Sequence, residues 1–565
     1  MAYSLLDEQW ILCADKNGST VKVSLREVFD GSLDLAAVRG ESPAQSYAVL
    51  RLLLAIFWRA HRIDPTAIQG TFSFSQWFET MHHSISRNER DQKVLDYLTT
   101  YEDRFDLLHE TMPFMQVASL QSTSGGRKPV SILVPEILEG QFSMRAGEEQ
   151  EYLHLDEAAR WLIYTQAFDV SGIKTGAVGD PRVKGGRGYP IGTGWSGMTG
   201  ATVVHGQSLT ETLLFNTTMQ CITTNGDKPF WELPPYTAAE RQTLKDEHGQ
   251  ALPSTPQGAA DLATWQSRRI RLFGEDTKVT EVIVSIGDAI PNAGANAFGD
   301  PMTPYRYSKN KSTKAKDIYY PKPYDAERTV WRSLDALIVG NHDVPADPAS
   351  KNPIKPAVLQ ELAEVEALYE ELVPPILDVE LVSISYGSNA SVITTDISAR
   401  VSLPVSLLAE DAIAPREAIR QISGATAEAG VELGRFARNL QFAAGGSQSE
   451  TPFPTAVTDG VLAELEPRFN EWLRSLARID PYDQEALDLL TDKWEKLARA
   501  IIESHAKIVL RGAGPKAMVG KIRDPESTKI ISAGDYFRLL LLKLDKLFPS
   551  TAQPTNERKE SNGNE

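Results

Sequence analysis

"REAIRQISGATAEAGVELGRFARNLQ" (416–441) places Ile419, Ile422, Thr426, Ala429, Leu433, Phe436 and Leu440 in alternating steps of three and four. That spacing keeps one stripe of a helix turned toward one neighbour, so the stretch predicts a long packed helix and not a strand. Three more stripes follow it. Leu462, Leu465, Phe469, Trp472 and Leu476 mark a second helix, in which Pro467 is expected to cause a kink because it removes a backbone donor. Leu487, Leu490, Trp494, Leu497, Ile501 and Ile508 mark a third. A fourth starts at Ser532 and carries Phe537, Leu540, Leu541, Leu544 and Leu547. Four amphipathic helices in one run predict an all-α C-terminal four-helix bundle over 401–550. The last residues, 551–565, lack apolar content and are expected to be disordered.

Upstream of residue 400 the pattern is mixed. "QWILCADKNGSTVKVSL" (9–25) gives two short β-prone runs around an Asn-Gly turn, a hairpin signal. A buried helix is expected to start at Pro43 and to include Leu52–Trp58, a run far too short to span a bilayer. "HLDEAARWLIYTQAF" (154–168) reads as a helix through Leu155, Ala159, Leu162 and Ile163, and Ser208 with Glu211 has capping-box spacing for another. "EVIVSIG" and "TVWRSLDALIV" read as β-like or buried, whereas 232–260 and 341–356 are proline-rich surface excursions. The whole predicts an α+β protein, with a large mixed α/β N-terminal domain over 1–400 followed by the helical bundle.

The chain has 565 residues, net charge −17, two cysteines and nine histidines. Two cysteines exclude a disulfide framework, and no metal-ligand spacing appears among the histidines. Asp7 and Glu8 stand where a signal peptide needs a basic start, which points to the cytoplasm and away from membranes. The acidic total argues against binding nucleic acid by general electrostatics. Basic residues are nonetheless concentrated in "RYSKNKSTKAK" (306–316), in "RRIR" (268–271) and around Arg182, Lys184 and Arg187.

Those last three lie in "GDPRVKGGRGYPIGTGWSG" (179–197), which has seven glycines in nineteen residues and no helical or strand period. The stretch contains no P-loop. "GTGWSG" (192–197) satisfies G-x-G-x-x-G, but Pro190 interrupts any preceding strand and "MTGATVVHG" does not open a helix, so a dinucleotide site is disfavoured. "MHHS" (81–84) has no accompanying carboxylate or cysteine cluster, and no nucleophile elbow stands out, so neither a metal, a cofactor nor an enzyme activity is expected. Two readings of the glycine stretch stay open on these grounds. It is a backbone surface for a polyanion, or a structural connector with solvated charges.

The chain also resembles a known family, CasA, the large subunit of the type I-E CRISPR surveillance complex Cascade. The carriers are "SLLDEQWI" (4–11) with "VSLREVF" (23–29), "SPAQSYAVLRLLLAIFWRA" (42–60), "FDLLHETMPFMQV" (105–117), the glycine stretch and "WQSRRIRLF" (265–273), in the family's order. The resemblance implies a non-catalytic subunit with several partners: other Cascade subunits, the 5′ handle of the guide RNA, target double-stranded DNA and a helicase-nuclease. It implies recognition of the protospacer-adjacent motif from the minor groove, whose acceptor pattern is degenerate, and the start of duplex opening for guide pairing. Carried over by position, the glycine loop falls on Lys184, Gly185, Gly186, Arg187 and Gly188, and the lysine finger on Lys309 and Lys311. The wedge falls on Gly387, Ser388, Asn389 and Ala390. Some family members have glutamine before that alanine; here Asn389 precedes Ala390 and the loop is one residue shorter. The resemblance further implies a loop within 122–142 that touches guide and neighbouring subunit, and a basic track over 505–524 for the displaced strand. The alternative from another class is a Gly-loop nucleotide-dependent enzyme.

Overall fold

The computed structural model describes residues 3–551 apart from 65–71, 136–144, 146, 276, 346, 348, 448–450, 481 and 523–529. Its backbone contacts form two compact units, Met1–Thr329 with Asp335–Val401, and Val330–Leu334 with Ser402–Glu565. The first is mixed α/β and the second helical, as the α+β reading requires.

The first unit starts with β1 (Ile11–Asp15), β2 (Thr20–Val23), α1 (Leu25–Phe29), β3 (Leu35–Val38), α2 (Pro43–Ala60), α3 (Phe74–Ser86) and α4 (Gln92–Thr100). It continues with β4 (Lys128–Pro129), β5 (Leu153–His154), α5 (Leu155–Phe168), β6 (Lys174–Thr175), β7 (Arg187–Gly188), β8 (Ala201–His205), α6 (Leu209–Phe215), α7 (Met219–Thr223) and α8 (Ala259–Ala263). Then come β9 (Arg268–Glu275), β10 (Lys278–Ile286), β11 (Tyr305–Tyr307), β12 (Tyr319–Pro321), α9 (Thr329–Ile338), α10 (Ala357–Glu366), β13 (Ile376–Tyr386) and β14 (Ile393–Pro404), of which Val330–Leu334 of α9 and the end of β14 from Ser402 are counted with the second unit.

β1 and β2 form the expected antiparallel hairpin, extended by β3. α2 is buried over most of its length, with Pro43 in its first turn and Ser42 capping its N-terminus. α2 packs on α5. β10 pairs with β9 over eight residues, Arg268 to Glu275, and at its edge with β4 and β5. A separate sheet has the order β14-β13-β8. "TVWRSLDALIV", read as β-like or buried, is helix α9; Val330, Trp331, Leu334 and Leu337 recur at helical spacing and all are buried.

The second unit contains α11 (Ile413–Ala443), α12 (Thr455–Leu476), α13 (Gln484–Gly512), the short α14 (Gly514–Val519), β15 (Lys521–Ile522), β16 (Ile530–Ile531) and α15 (Ala533–Leu547). The long helix α11 packs on α12, α13 and α15, and all seven residues of its sequence stripe are buried. Pro467 lies inside α12, which runs on through it without a break. Rings of Trp331, Phe469, Trp472 and Trp494 lie 4.6–6.4 Å apart at the centre, where the Trp494 indole N–H donates to the Thr426 hydroxyl at 3.0 Å. Along α13 the buried seam is Leu487, Trp494, Ala498, Ile502 and Ala506. Of the expected seam, Leu487 and Trp494 are buried, Leu490, Leu497 and Ile501 are half-buried, and Ile508 is 61% exposed. Residues 552–565 of the expected tail lie outside the described residues.

Candidate nucleic-acid interface

The glycine stretch is not an open loop but contains a small antiparallel ribbon. β6 pairs with β7 in the register Lys174↔Gly188 and Thr175↔Arg187. Lys184 and Arg187 exchange both backbone hydrogen bonds at 3.1 Å, which closes a two-residue turn over Gly185 and Gly186. Their φ angles are +57° and +73°. Left-handed angles at both central positions define the hairpin turn that matches strand twist, and glycine adopts them without Cβ strain.

The glycines in this stretch have separate tasks. Gly185 and Gly186 are exposed at the turn, and a Cβ on Gly185 would meet nothing within 4 Å. Gly188 is buried, and a Cβ there would lie 3.0 Å from Ile286. Gly194 lies against the Ala167 carbonyl and Gly197 against the Tyr386 hydroxyl, each nearer than a Cβ would allow. The G-x-G-x-x-G match therefore reflects close packing against α5 and β13; no helix N-terminus follows it, only a short 3₁₀ turn over Trp195–Met198.

The charges divide in the same way. Arg182, one of the basic residues of this stretch, donates to Asp180 at 2.9 and 3.0 Å and to the Gly287 carbonyl at 2.7 Å, so it holds the stretch to the fold. Arg268 and Arg269 of "RRIR" are buried: Arg269 pairs with Asp288 at 2.8 Å, and Arg268 pairs with Asp169. Lys184 and Arg187 are exposed and have no ion-pair partner among the described residues.

Asp169 stands at the centre of the arrangement. It accepts from Lys174 at 2.6 Å and from the Arg268 Nε, while the Arg268 Nη2 donates to the carbonyls of Val170 and Gly192 at 2.9 Å. Burial pushes the Asp169 carboxyl up, but Arg268 and Lys174 beside it outweigh that and hold it below the usual carboxylate range. Lys174 is held below the ordinary lysine value, chiefly because burial removes its ammonium from water. One buried arginine thus ties residues 169–170, ahead of the ribbon, to Gly192 of the glycine stretch.

The expected wedge residues occupy the turn between β13 and β14. Asn389 and Ala390 have φ of +55° and +52°, a conformation asparagine tolerates and alanine adopts only with strain. The Gly387 N–H donates to Val392 at 2.8 Å, and Ser388 and Asn389 are exposed. Two bonds tie this hairpin to the segment ahead of the glycine ribbon: Ser171 N–H donates to the Ala390 carbonyl at 2.7 Å, and Tyr386 donates its hydroxyl proton to the Phe168 carbonyl at 2.7 Å. Segment 168–175 therefore joins the ribbon to the wedge turn.

Lys309 and Lys311 stand on the connection between β11 and β12, an antiparallel pair. Ser308 N–H donates to the Ile318 carbonyl at 2.9 Å and Lys311 and Ser312 N–H turn back on the Ser308 carbonyl, so the basic run has an ordered backbone. Lys309, Lys311, Lys314 and Lys316 are all exposed, again without ion-pair partners among the described residues. At the root of this hairpin Tyr305 belongs to one apolar cluster with Trp195 of "GTGWSG", and Tyr319 packs against it. The three carried-over groups thus meet one scaffold, through Trp195, Tyr386 and Ser171.

Sequence reasoning missed that scaffold. Asp169, Ser171 and Tyr386 carry no motif of their own, and Arg268 stood out only as part of a basic run, although a Gly-Gly pair between short runs is a recognisable hairpin signal. Thr123 was missed too: its N–H donates to the Gly176 carbonyl at 2.9 Å, and its hydroxyl is 3.3 Å from the Gly186 carbonyl. It belongs to the expected guide-contacting loop, of which 136–142 lie outside the described residues. His82 of "MHHS" pairs with Glu211 at 3.2 Å. Among the described residues no cluster of metal-ligating side chains occurs, and no helix is long and apolar enough to cross a membrane.

Solved structures match this chain over nearly its full length. The crystal structure of Thermobifida fusca Cse1 superposes with a TM-score of 0.82 at 32% identity, covering 98% of this chain and 99% of that one. Cse1 from Acidimicrobium ferrooxidans has the same fold, with a TM-score of 0.73 at 24% identity over 97% of this chain and 99% of its own. A CRISPR-associated protein CasA/Cse1 of Thermus thermophilus is 27% identical over 343 residues, a match that covers 60% of each chain. The family model described as CRISPR-associated protein Cse1 matches residues 4–504, and the chain belongs to that family.

Proposed function

We propose that this chain is the non-catalytic large subunit of a type I-E Cascade and that its first unit reads the protospacer-adjacent motif of double-stranded DNA. The observation that carries this reading is the convergence of three outward turns, 184–187, 308–318 and 387–392, on the segment 168–197. The turn over Gly185 and Gly186 is thin enough to enter a minor groove, where a side chain would meet the groove floor. Lys309 and Lys311 supply cations to the flanking phosphates or base edges. The turn Gly387, Ser388, Asn389, Ala390 acts at the first base step beyond the motif, where unstacking one step costs a few kcal/mol.

The remaining parts of the reading concern partners. The loop that contains Thr123 meets the guide RNA handle and the neighbouring subunit, which gives the Thr123 contact with the ribbon a place in coupling guide and motif. The basic run 505–524 in the bundle follows the displaced strand through its phosphates. The subunit then presents the opened DNA to the helicase-nuclease. An overall charge of −17 with local unpaired lysines suits a protein that must leave nonspecific DNA quickly.

Titrating the assembled complex with duplexes that carry a correct or a scrambled adjacent motif tests this. Tighter binding to the correct motif is expected; equal affinity for both overturns the motif-reading role.

A further inference from the structure

The ribbon has two faces, and the outer one carries more than the turn. In an antiparallel pair, opposed residues share a face and so do residues two apart. The register Thr175↔Arg187, continued by two residues, places Ile173 opposite Tyr189 on the same side as Thr175 and Arg187. The bridge between Lys184 and Arg187 adds Lys184 to that side. Lys174 and Gly188 point the other way, one bonded to buried Asp169 and the other against Ile286.

The outer side is open. Ile173 is 54% exposed and Tyr189 50% exposed, next to the unpaired cations Arg187 and Lys184. Between residues 170 and 200 the one acidic residue is Asp180, and Arg182 already holds it. An exposed aromatic ring beside an aliphatic side chain and two free cations is the chemistry of a stacking platform for a nucleobase with its phosphate neutralised. A double helix offers no free base face to such a platform, so the fitting partner is an unpaired nucleotide.

Its position along the ribbon selects which nucleotide. Ile173 is two residues from Ser171, whose N–H holds the Ala390 carbonyl of the wedge turn. The Gly185–Gly186 turn lies at the opposite end of the ribbon. We propose that Tyr189 and Ile173, with Arg187 and Lys184 at their edge, hold the first DNA base released from pairing when the duplex opens at the 387–392 turn. The assignment of that base rests on the motif-opening reading above; the platform itself rests on the register, the exposure and the charge.

The test uses the full-length chain assembled in its complex, with Tyr189→Ala and Tyr189→Phe variants. Two probes are compared: an intact motif-bearing duplex, and the same duplex with its first protospacer pair mismatched so that no opening is needed. Tyr189→Ala is expected to weaken both by about tenfold, the scale of losing one base–aromatic stack, and Tyr189→Phe to retain binding. The ratio between correct and scrambled motifs stays as in the wild type. Iodouracil at the first protospacer position of the DNA is expected to crosslink to Tyr189. Unchanged binding of the mismatched duplex by Tyr189→Ala overturns the platform, as does a Tyr189→Phe variant that behaves like the alanine. A crosslink of Tyr189 to iodouracil in the guide RNA, or to a neighbouring subunit, overturns the choice of DNA. Loss of motif discrimination in the wild type would refute only the motif reading, because the mismatched duplex still reports on the platform.

Discussion

Gly185 and Gly188 are three residues apart and are glycines for different reasons. Gly185 needs its left-handed φ and faces open space, whereas Gly188 needs the room that Ile286 takes. Gly185→Ala is expected to cost about 1–2 kcal/mol at the turn, since an alanine there meets the left-handed steric penalty. Gly185→Asn should unfold close to the wild type, because asparagine tolerates that angle. Thermal unfolding of the two variants separates backbone from bulk. DNA titration of the assembled complex then asks whether the asparagine side chain obstructs the groove: weakened motif binding with wild-type stability is the expected pair of results. Gly188→Ala is a poor probe of DNA contact, because its first effect falls on the packing of Ile286.

At the level of elements, the segment 168–175 depends on one carboxylate. Asp169→Asn leaves buried Arg268 and half-buried Lys174 without their counter-charge, and removing one partner of such a group is expected to destabilise the first unit by about 3–5 kcal/mol. The acid dependence follows from the direction of the shift. A carboxyl held below its ordinary value stabilises the fold fully above about pH 4, and that contribution is lost as pH falls through the lower folded value. The stability gap between wild type and Asp169→Asn, followed by denaturant unfolding, should therefore narrow below about pH 4. The sequence showed some elements clearly and others not at all. The α11 stripe was legible because the helix is packed along its length, so every third or fourth residue had to be buried. Ile508 misled because α13 outlasts its buried seam there, and the inward positions before it are Ile502 and Ala506, the second too small to register as a core signal. β6 and β7 were illegible because two-residue strands have no period to read. The wedge turn entered through resemblance alone, the lysine run showed only as a concentration of charge, and Asp169 with Arg268 could not be paired from sequence because 99 residues separate them.

For the whole molecule, the arithmetic of charge is misleading and its placement is not. In the two basic stretches 179–197 and 306–316 and in "RRIR", the groups include those spent on the fold, Arg182, Arg268 and Arg269, and those exposed without ion-pair partners among the described residues, Lys184, Arg187, Lys309, Lys311, Lys314 and Lys316. On the proposed reading it is the second set, in the first unit, that displaces counterions from the motif-bearing duplex. Changing Lys309 and Lys311 to alanine in the assembled complex is expected to lower affinity and to reduce the slope of log affinity against log salt by about one for each lysine that meets a phosphate. A slope unchanged by both substitutions would place neither lysine on the backbone of the DNA.

The turn at 184–187 is closed entirely by main-chain groups: Lys184 and Arg187 bond to each other, and the Gly186 carbonyl accepts from Gly176 and lies within reach of the Thr123 hydroxyl. No side chain of the two central residues takes part in holding it. Recognition and architecture are therefore separable at this point, and the tip can drift between lineages, or be randomised as a two-position library, among residues that accept a left-handed backbone. Under the motif-reading proposal, the preference for one adjacent motif over another is in that sense an interchangeable fitting on a fixed mount.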